Sequence, residues 1–448
     1  NPLLGVFFAL SLTFHFTSGQ NSAETNTQDH SPVPPGNPSG QSVIFLHHDG
    51  AGLSGWNIHR ILEHGPDGYS HWDLLPQTGV YRSHMRDHLN ASSHGGGTIH
   101  AYGVKVLKDS YGMNGKEPLV SASGYPGSVM MEAKAAGLRV GIINSGHLAE
   151  PGTGCMLASV ERRADRTTIA AQLIESGADL IFGGGEVLFL PQGKDGVHGS
   201  PGIREDGRNL VEEAQRAGYT VIYHVKDLED LSSETEKILG LFAAEDTYND
   251  ESEEELKEKE LPFYDPDTPT IAEMTEGALR WFSASPTPFF LTIEEEGTDN
   301  FSNNMNAPGA MEAFRRADEA VGVARKFVAA HADLTLLVAA DSEASSPALV
   351  AFGLEDSYPK MEEGLKPLAK TTKAGAPLDG RGGTGTEPFL SKPDAFGKRH
   401  VFGISWIDHG DHYGGVLVRA EGSMADQLPV NLDNTDIYAF LRGVLFER

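Results

Sequence analysis

The sequence predicts an α/β fold of three layers, with a mostly parallel sheet carrying helices on both faces. Three observations predict it. Short apolar runs alternate with amphipathic stretches along most of the chain. The runs are almost continuously apolar, which suits strands covered on both faces. The length, 448 residues with 39% hydrophobic content, accommodates one large domain with insertions.

In chain order, the apolar run LLGVFFALSLTF from Leu3 to Phe14 has about the length of a signal-peptide core and precedes small polar residues. It predicts a signal peptide over residues 1–20, cleaved near Ser18 to Gln20, and an exported protein, periplasmic or extracellular. Residues 21–40 are polar and rich in Pro, Gly and Ser, and read as a disordered linker. The folded domain is expected over 41–448. Its candidate strands are SVIFL, RVGIIN, DLIFGG, YTVIYH, PFFLTI, LTLLVAA and GVLVRA. Helical patterns such as TIAAQLIESG, NLVEEAQRAG and APGAMEAFRRADEAVGVARKFVAAH separate them. Residues 243–266 hold a dense acidic run, expected to be a solvated excursion. Residues 343–400 lack periodicity and read as an insertion near the carboxyl edge of the sheet, where loops shape sites. No segment after the leader resembles a membrane helix.

The formal net charge is −28, from 35 basic and 63 acidic residues. No basic surplus exists to neutralise phosphates, so nucleic acid is excluded as a specific partner. The single cysteine, Cys155, excludes an intrachain disulfide and a cysteine-based zinc site.

Three candidate strands end in acids. SVIFLHHDG ends at Asp49, PFFLTIEEEGTD at Glu294 to Glu296 and then Asp299, and LTLLVAADS at Asp341. Ligands of open α/β sheets bind outside the carboxyl ends of strands. Crowded anions repel one another unless a cation holds them, so a divalent metal cluster accounts for the set. Caps on the following helices are the alternative. The stretch ASSHGGGTIHAYGVKV places Ser93 before a helical pattern in a glycine-rich loop. A helix amino terminus can hold an anion, and glycine lets backbone approach it closely. An ordinary serine cap is again the alternative.

Taken together, these stretches resemble the alkaline phosphatase family. Asp49-Gly50 after the first strand, Ser93 ten residues before Gly103-Val104-Lys105, Glu294 followed five residues on by Asp299, and Ala340-Asp341 carry the resemblance. So do His412 in HYGGVLV, the stretch PTIAEMTEGAL from Pro269 to Leu279, and DNTDIY from Asp433 to Tyr438. The resemblance covers about residues 42–445. It implies an alkaline-phosphatase-like fold and a metal-dependent phosphomonoester hydrolase working through a phosphoserine at Ser93. Arg163, in ASVERRAD, would grip the phosphoryl oxygens. Asp49, Asp299, Asp341 and His412 would ligate metal, with Glu294 in a third, magnesium-type site. Where the family carries two further metal histidines this chain has Asn303 and Ser342, and Asn303 stands as a candidate ligand. An acid usual before the nucleophile is Ser92, and Glu150 aligns loosely with the magnesium site. His47, His48, His94, His100 and His409 lie near enough to compensate. The implied cofactors are two or three divalent ions, zinc and magnesium first, calcium or manganese as alternatives for an oxygen-rich set. Small phosphorylated metabolites are the expected partners, and a homodimer is left open. A phosphodiesterase or sulfatase on the same fold, or a non-catalytic phosphate- or metal-binding homologue, are the rival readings.

Overall fold

The structure is a computed structural model and describes residues 33–352 and 365–447. The expected signal peptide, and most of the expected linker, lie outside the described residues. Ten strands form the main sheet, in the spatial order Asn431–Asp433, Gln77–Arg82, Leu417–Gly422, Leu334–Ala339, Ser42–His47, Phe289–Glu294, Arg139–His147, Leu180–Gly184, Lys237–Leu241 and Tyr219–Ile222. From Leu334–Ala339 to Tyr219–Ile222 every neighbouring pair is parallel. Leu417–Gly422 runs antiparallel to both its neighbours. All seven apolar runs read in the sequence contribute to this sheet. Gln77–Arg82, Lys237–Leu241 and Asn431–Asp433 lie outside those seven runs, and Gln77–Arg82 shows why one strand escapes them. It alternates buried and exposed residues near the sheet margin, so its apolar content is low.

The central strands are apolar because both faces are covered. Ser42–His47, Phe289–Glu294 and Leu334–Ala339 are buried throughout. Helix Ile271–Ser283 begins with a reciprocal cap between Thr270 and Glu273. Helix Ala307–Ala330 begins with the Asn306 side chain accepting the Gly309 amide and has proline in its first turn. Trp56 of helix Leu53–Glu63 stacks on Trp72 at 5.0 Å and meets Phe314 of the long helix edge-on. No helix among the described residues is long and apolar enough to cross a membrane.

Two regions depart from the main layers. After Asp341 the chain forms Glu343–Ala344 and then a small five-stranded sheet of Ala348–Phe352, Leu378–Gly380, Gly383–Thr384, Phe389–Leu390 and Val401–Ser405. It returns through Asp411–His412, which pairs antiparallel with Glu343–Ala344. The acidic segment keeps most of its charged side chains exposed, as expected of a solvated excursion, but is anchored to the domain. Tyr248 and Tyr264 flank its charge run, are buried, and pack on Phe301. Their ring burial holds the segment against helices Gly297–Asn303 and Ala307–Ala330, and Asn304 Nδ2 donates to Asp250 at 2.7 Å.

Register positions the functional edge. His47 lies opposite Ala339, so Asp49 and Asp341, each two residues further on, leave adjacent strands at one level. Leu46 lies opposite Ile293, which by the same count sets Glu296, not Glu294, level with Asp49.

Leu291 is fully buried between the Ser42–His47 and Arg139–His147 strands. Leu291→Ala should cost about 2–5 kcal/mol of stability, the range for a buried leucine truncated to alanine. Chemical denaturation followed by circular dichroism measures it.

Candidate active site

The acids at this edge fall into two groups that the sequence could not separate. Some are fully engaged by protein donors. Glu294 accepts from Asn144 Nδ2 at 2.5 Å, from the Thr153 amide at 2.8 Å and hydroxyl at 3.0 Å, and meets His47 Nδ1 at 3.2 Å. Glu150 bridges His147 Nε2 at 2.9 Å and the Arg163 guanidinium. Others keep buried oxygens with no partner. Both oxygens of Asp49, Glu296 and Asp341 are of this kind, as are Oδ1 of Asp299 and Oδ1 of Asp411. His412 Nε2 and the Ser342 hydroxyl are likewise buried and unpartnered.

Electrostatics follow from this crowding. Burial pushes the pKa of Asp49 well up, and the charges of Asp341 and Glu294 add to it. Burial raises Asp299, with Asp411 and Asp49 adding. Burial raises Glu296, with Glu150, Asp49 and Glu294 adding. Burial raises Asp341 too, helped by Asp411 and Asp299. A buried charge without a partner costs several kcal/mol, so unpartnered acids in contact are a candidate cation site. Asp49, Glu294 and Glu296 present ligand atoms within 4.8 Å of one another. The donor set, oxygen-rich with the His412 nitrogen beside it, fits divalent ions.

Glycines allow the approach. Gly50 has φ 61°, and a Cβ there would stand 2.6 Å from Asp299 Oδ1. A Cβ on Gly96 would stand 2.3 Å from the Asp341 Cβ. The amino terminus of helix Ser93–Tyr102 therefore packs directly on the acid-bearing strand end. Ser92 is its cap: the hydroxyl accepts the Gly95 amide at 3.2 Å and donates to the Lys108 carbonyl at 2.5 Å. Ser93 is the first helical residue, 4% exposed, and no hydrogen bond among the described residues uses its hydroxyl. The amides of Ser93 and His94 have no intrahelical acceptor, as in any first turn.

Arg163 is half-buried and reaches the same cluster. Glu150, and beyond it Glu296, Asp49 and Asp299, raise its pKa against the opposing effect of burial. Glu150 thus holds Arg163 rather than offering a free metal oxygen. Asn303 is also spent within the protein. Its Nδ2 donates to Asp299 Oδ2 at 2.9 Å, and its side-chain Oδ1 accepts from Gly410 N at 2.9 Å and Ser345 Oγ at 3.1 Å. It orients Asp299 and has no free oxygen for a cation.

Three of the compensating histidines, His47, His100 and His409, engage one ring nitrogen within the protein, whereas both ring nitrogens of His48 are buried and unpartnered. His100 Nε2 meets the Tyr81 hydroxyl at 2.7 Å, and His409 Nδ1 meets the Asn303 carbonyl at 2.6 Å. His48 packs edge-on against Trp56, and burial lowers its pKa to about 3. His47 bears on Glu294. His94 Nε2 lies 3.6 Å from Asp109, with its pKa lowered to about 4, chiefly by burial and then by Arg163. Sequence reasoning passed over Asp411 and His147, and singled out Glu294 rather than Glu296 from the strand-end acids. Glu296 was hidden in a run of three glutamates. Asp411 adjoins His412 in DHGDHYGG, and that acid–histidine pair was the available signal.

The profile of the alkaline phosphatase family matches residues 40–445. The chain belongs to the alkaline phosphatase family. It is 26% identical over 379 residues to alkaline phosphatase H of Pseudomonas aeruginosa, covering 75% of each chain. The fold matches alkaline phosphatase of Thermus thermophilus with a TM-score of 0.69 at 18% identity, over 93% of each chain. It also matches a variant of the alkaline phosphatase TAB5 that holds magnesium in a site called M3, with a TM-score of 0.64 at 17% identity, over 92% of this chain and 98% of that one.

Glu150→Gln removes one charge from the bridge between His147 and Arg163 while keeping its shape. Inhibition by inorganic phosphate should weaken about fivefold, roughly the 1 kcal/mol that a bonded charge contributes to orientation. Arg163→Ala should weaken it at least about tenfold. Steady-state inhibition constants read both, and unchanged values would detach this arginine from phosphate.

Proposed function

We propose that the protein is a metal-dependent phosphomonoesterase that passes through a phosphoserine at Ser93. The observation that carries this reading is the juxtaposition of Ser93, at a helix amino terminus packed on Asp341, with unpartnered buried acids and Arg163. Family membership supports phosphate monoester hydrolysis as the reaction class.

Asp49, Asp299, Asp341, Glu296 and Asp411 would hold two or three divalent ions, with His412 as a nitrogen donor and Glu294 at the margin. Bound there, such ions neutralise the acids, polarise the phosphoryl group and favour the ionised serine hydroxyl. This chain's residues account for the rest. The amides at the start of helix Ser93–Tyr102 and the Arg163 fork bind phosphoryl oxygens. Ser92, by capping the helix, fixes the direction of Ser93. The Ser93 oxygen attacks phosphorus, the bond to the substrate oxygen breaks, and the alcohol leaves with a proton. Water then cleaves the phosphoserine, releasing inorganic phosphate and restoring the hydroxyl. Asn303 holds Asp299 in place, and the glycines at 50 and 96 keep backbone clear of the centre.

The donors are mostly oxygen, which suits magnesium, calcium or manganese, while zinc is compatible with carboxylates and His412. The apolar run from Leu3 to Phe14 supports export. Small phosphorylated compounds are the proposed substrates.

Ser93→Ala should reduce turnover by at least about a thousandfold with the fold unchanged, as expected when a covalent nucleophile is lost. Ser92→Ala should cost far less, about the 1 kcal/mol of a lost cap. Phosphate trapped at acidic pH should map to Ser93; label on Ser92 would shift the nucleophile by one residue. Chelation should abolish turnover, and magnesium, calcium or manganese should restore it. Full recovery with zinc alone, unimproved by any harder cation, would overturn the oxygen-rich assignment. Comparing aryl phosphate, bis-aryl phosphate and aryl sulfate tests the diesterase and sulfatase readings.

A further inference from the structure

A second cluster of ligand-type side chains lies away from the acids. His59 is in helix Leu53–Glu63, His64 is the residue that ends it, and Asp318 is in helix Ala307–Ala330. His59 Nε2 lies 3.6 Å from Asp318 Oδ2, and His64 Nε2 lies 3.9 Å from the same oxygen. The two imidazoles face each other at 5.9 Å, edge to face. All three ligand atoms fall within 4.8 Å of one another. His59 is 2% exposed, yet neither of its ring nitrogens has a hydrogen-bond partner.

The spacing is informative. Both separations exceed a hydrogen bond. They approach the edge of a tetrahedron, about 3.4 Å when metal–ligand bonds are about 2.0–2.1 Å long. The Asp318 carboxylate is pre-oriented from behind, accepting the Trp72 amide at 2.8 Å and the His71 amide at 3.1 Å. Metal-binding carboxylates are commonly held in this way. His64 is exposed and supplies a route in from solvent. The comparable cluster of His147, Glu150 and Asp246 differs. Its histidine–glutamate separation of 2.9 Å is a hydrogen bond, and Glu150 also binds Arg163, so both glutamate oxygens are already paired, although His147 Nδ1 is buried without a partner.

We infer that His59, His64 and Asp318 form a separate site for one divalent transition-metal ion of zinc type. Two imidazoles and a carboxylate are a donor set that favours such ions, whereas the strand-end acids favour harder ones. Trp56 stands between the two: its ring is 6.4 Å from that of His59 and 5.8 Å from that of His48, the neighbour of Asp49. The ion ties the helix that follows Asp49 to the long helix beneath it. It therefore stabilises the folded chain by mass action and takes no part in the chemistry.

The test is zinc content and thermal stability of the full chain, equilibrated at buffered free zinc and then measured by elemental analysis and thermal denaturation. His64→Ala and His59→Gln should each carry one zinc fewer per chain than the unmodified protein. His64→Cys, which restores a zinc ligand, should regain it. Zinc should raise the melting temperature of the unmodified protein and leave that of His64→Ala unchanged. With magnesium and zinc saturating, the turnover of His64→Ala should stay within about twofold. His64 is at the surface, so this variant remains informative should His59→Gln not fold. Equal zinc content in the unmodified protein and His64→Ala overturns the site. A lost zinc accompanied by a matching loss of turnover overturns its separateness, because that ion belonged to the acid cluster.

Discussion

Mutual repulsion among carboxylates buried at one sheet edge is the constraint on which the rest of the structure depends. Asp49, Glu296, Asp299, Asp341 and Asp411 bring buried, unpartnered oxygens together. Burial raises the first four, and their neighbours' charges raise them further. Without positive charge such a group is tolerated only by giving up its own charge. The fold supplies part of the balance through Arg163, and the remainder is what the proposed cations would offset.

The surrounding residues can be understood by whether they relieve or preserve that repulsion. Glu294 and Glu150 are satisfied by protein donors, and Glu295 through one oxygen, its Oε2 staying buried and unpartnered. Asn144 and Thr153 serve Glu294, Ser145 and Tyr264 serve Glu295, and His147 and Arg163 serve Glu150. Each of these acids is thereby removed from competition for a cation, or kept at its margin. Asn303 engages only one oxygen of Asp299 and leaves the other bare. The glycines contribute by absence of side chain: at Gly96 a single methyl group would collide with Asp341.

At Asn303 and Ser342, where the sequence resemblance implies metal histidines, the structure differs between the two positions. Asn303 is drawn into a network with Asp299, Gly410 and Ser345, and so supports Asp299. Ser342 keeps a buried hydroxyl with no partner. Asp411 adds an acid that faces Asp299 and Asp341. The side chains gathered here are therefore mostly oxygen-bearing, with the Ser93 helix packed on Asp341 and Arg163 held by Glu150.

Much of this was legible in the sequence. Near-continuous apolar runs alternating with helical patterns determined the layered α/β fold, since strands covered on both faces need apolar side chains on both. The acids at strand ends and the serine in its glycine-rich turn were legible for the same local reason, because strand ends and helix starts leave signatures within a few residues. Tertiary structure alone decided which acids are free. Glu294 and Glu296 are indistinguishable within a run of three glutamates, but parallel register sets Glu296 level with Asp49 and leaves Glu294 to Asn144 and Thr153. Asp411 reaches Asp299 only because the excursion after Asp341 closes through an antiparallel pairing of Glu343–Ala344 with Asp411–His412. His59, His64 and Asp318 meet only where two helices pack. Local propensity acts over a few neighbours, whereas these partnerships join residues up to about 250 positions apart, and only long-range packing brings such residues within bonding distance.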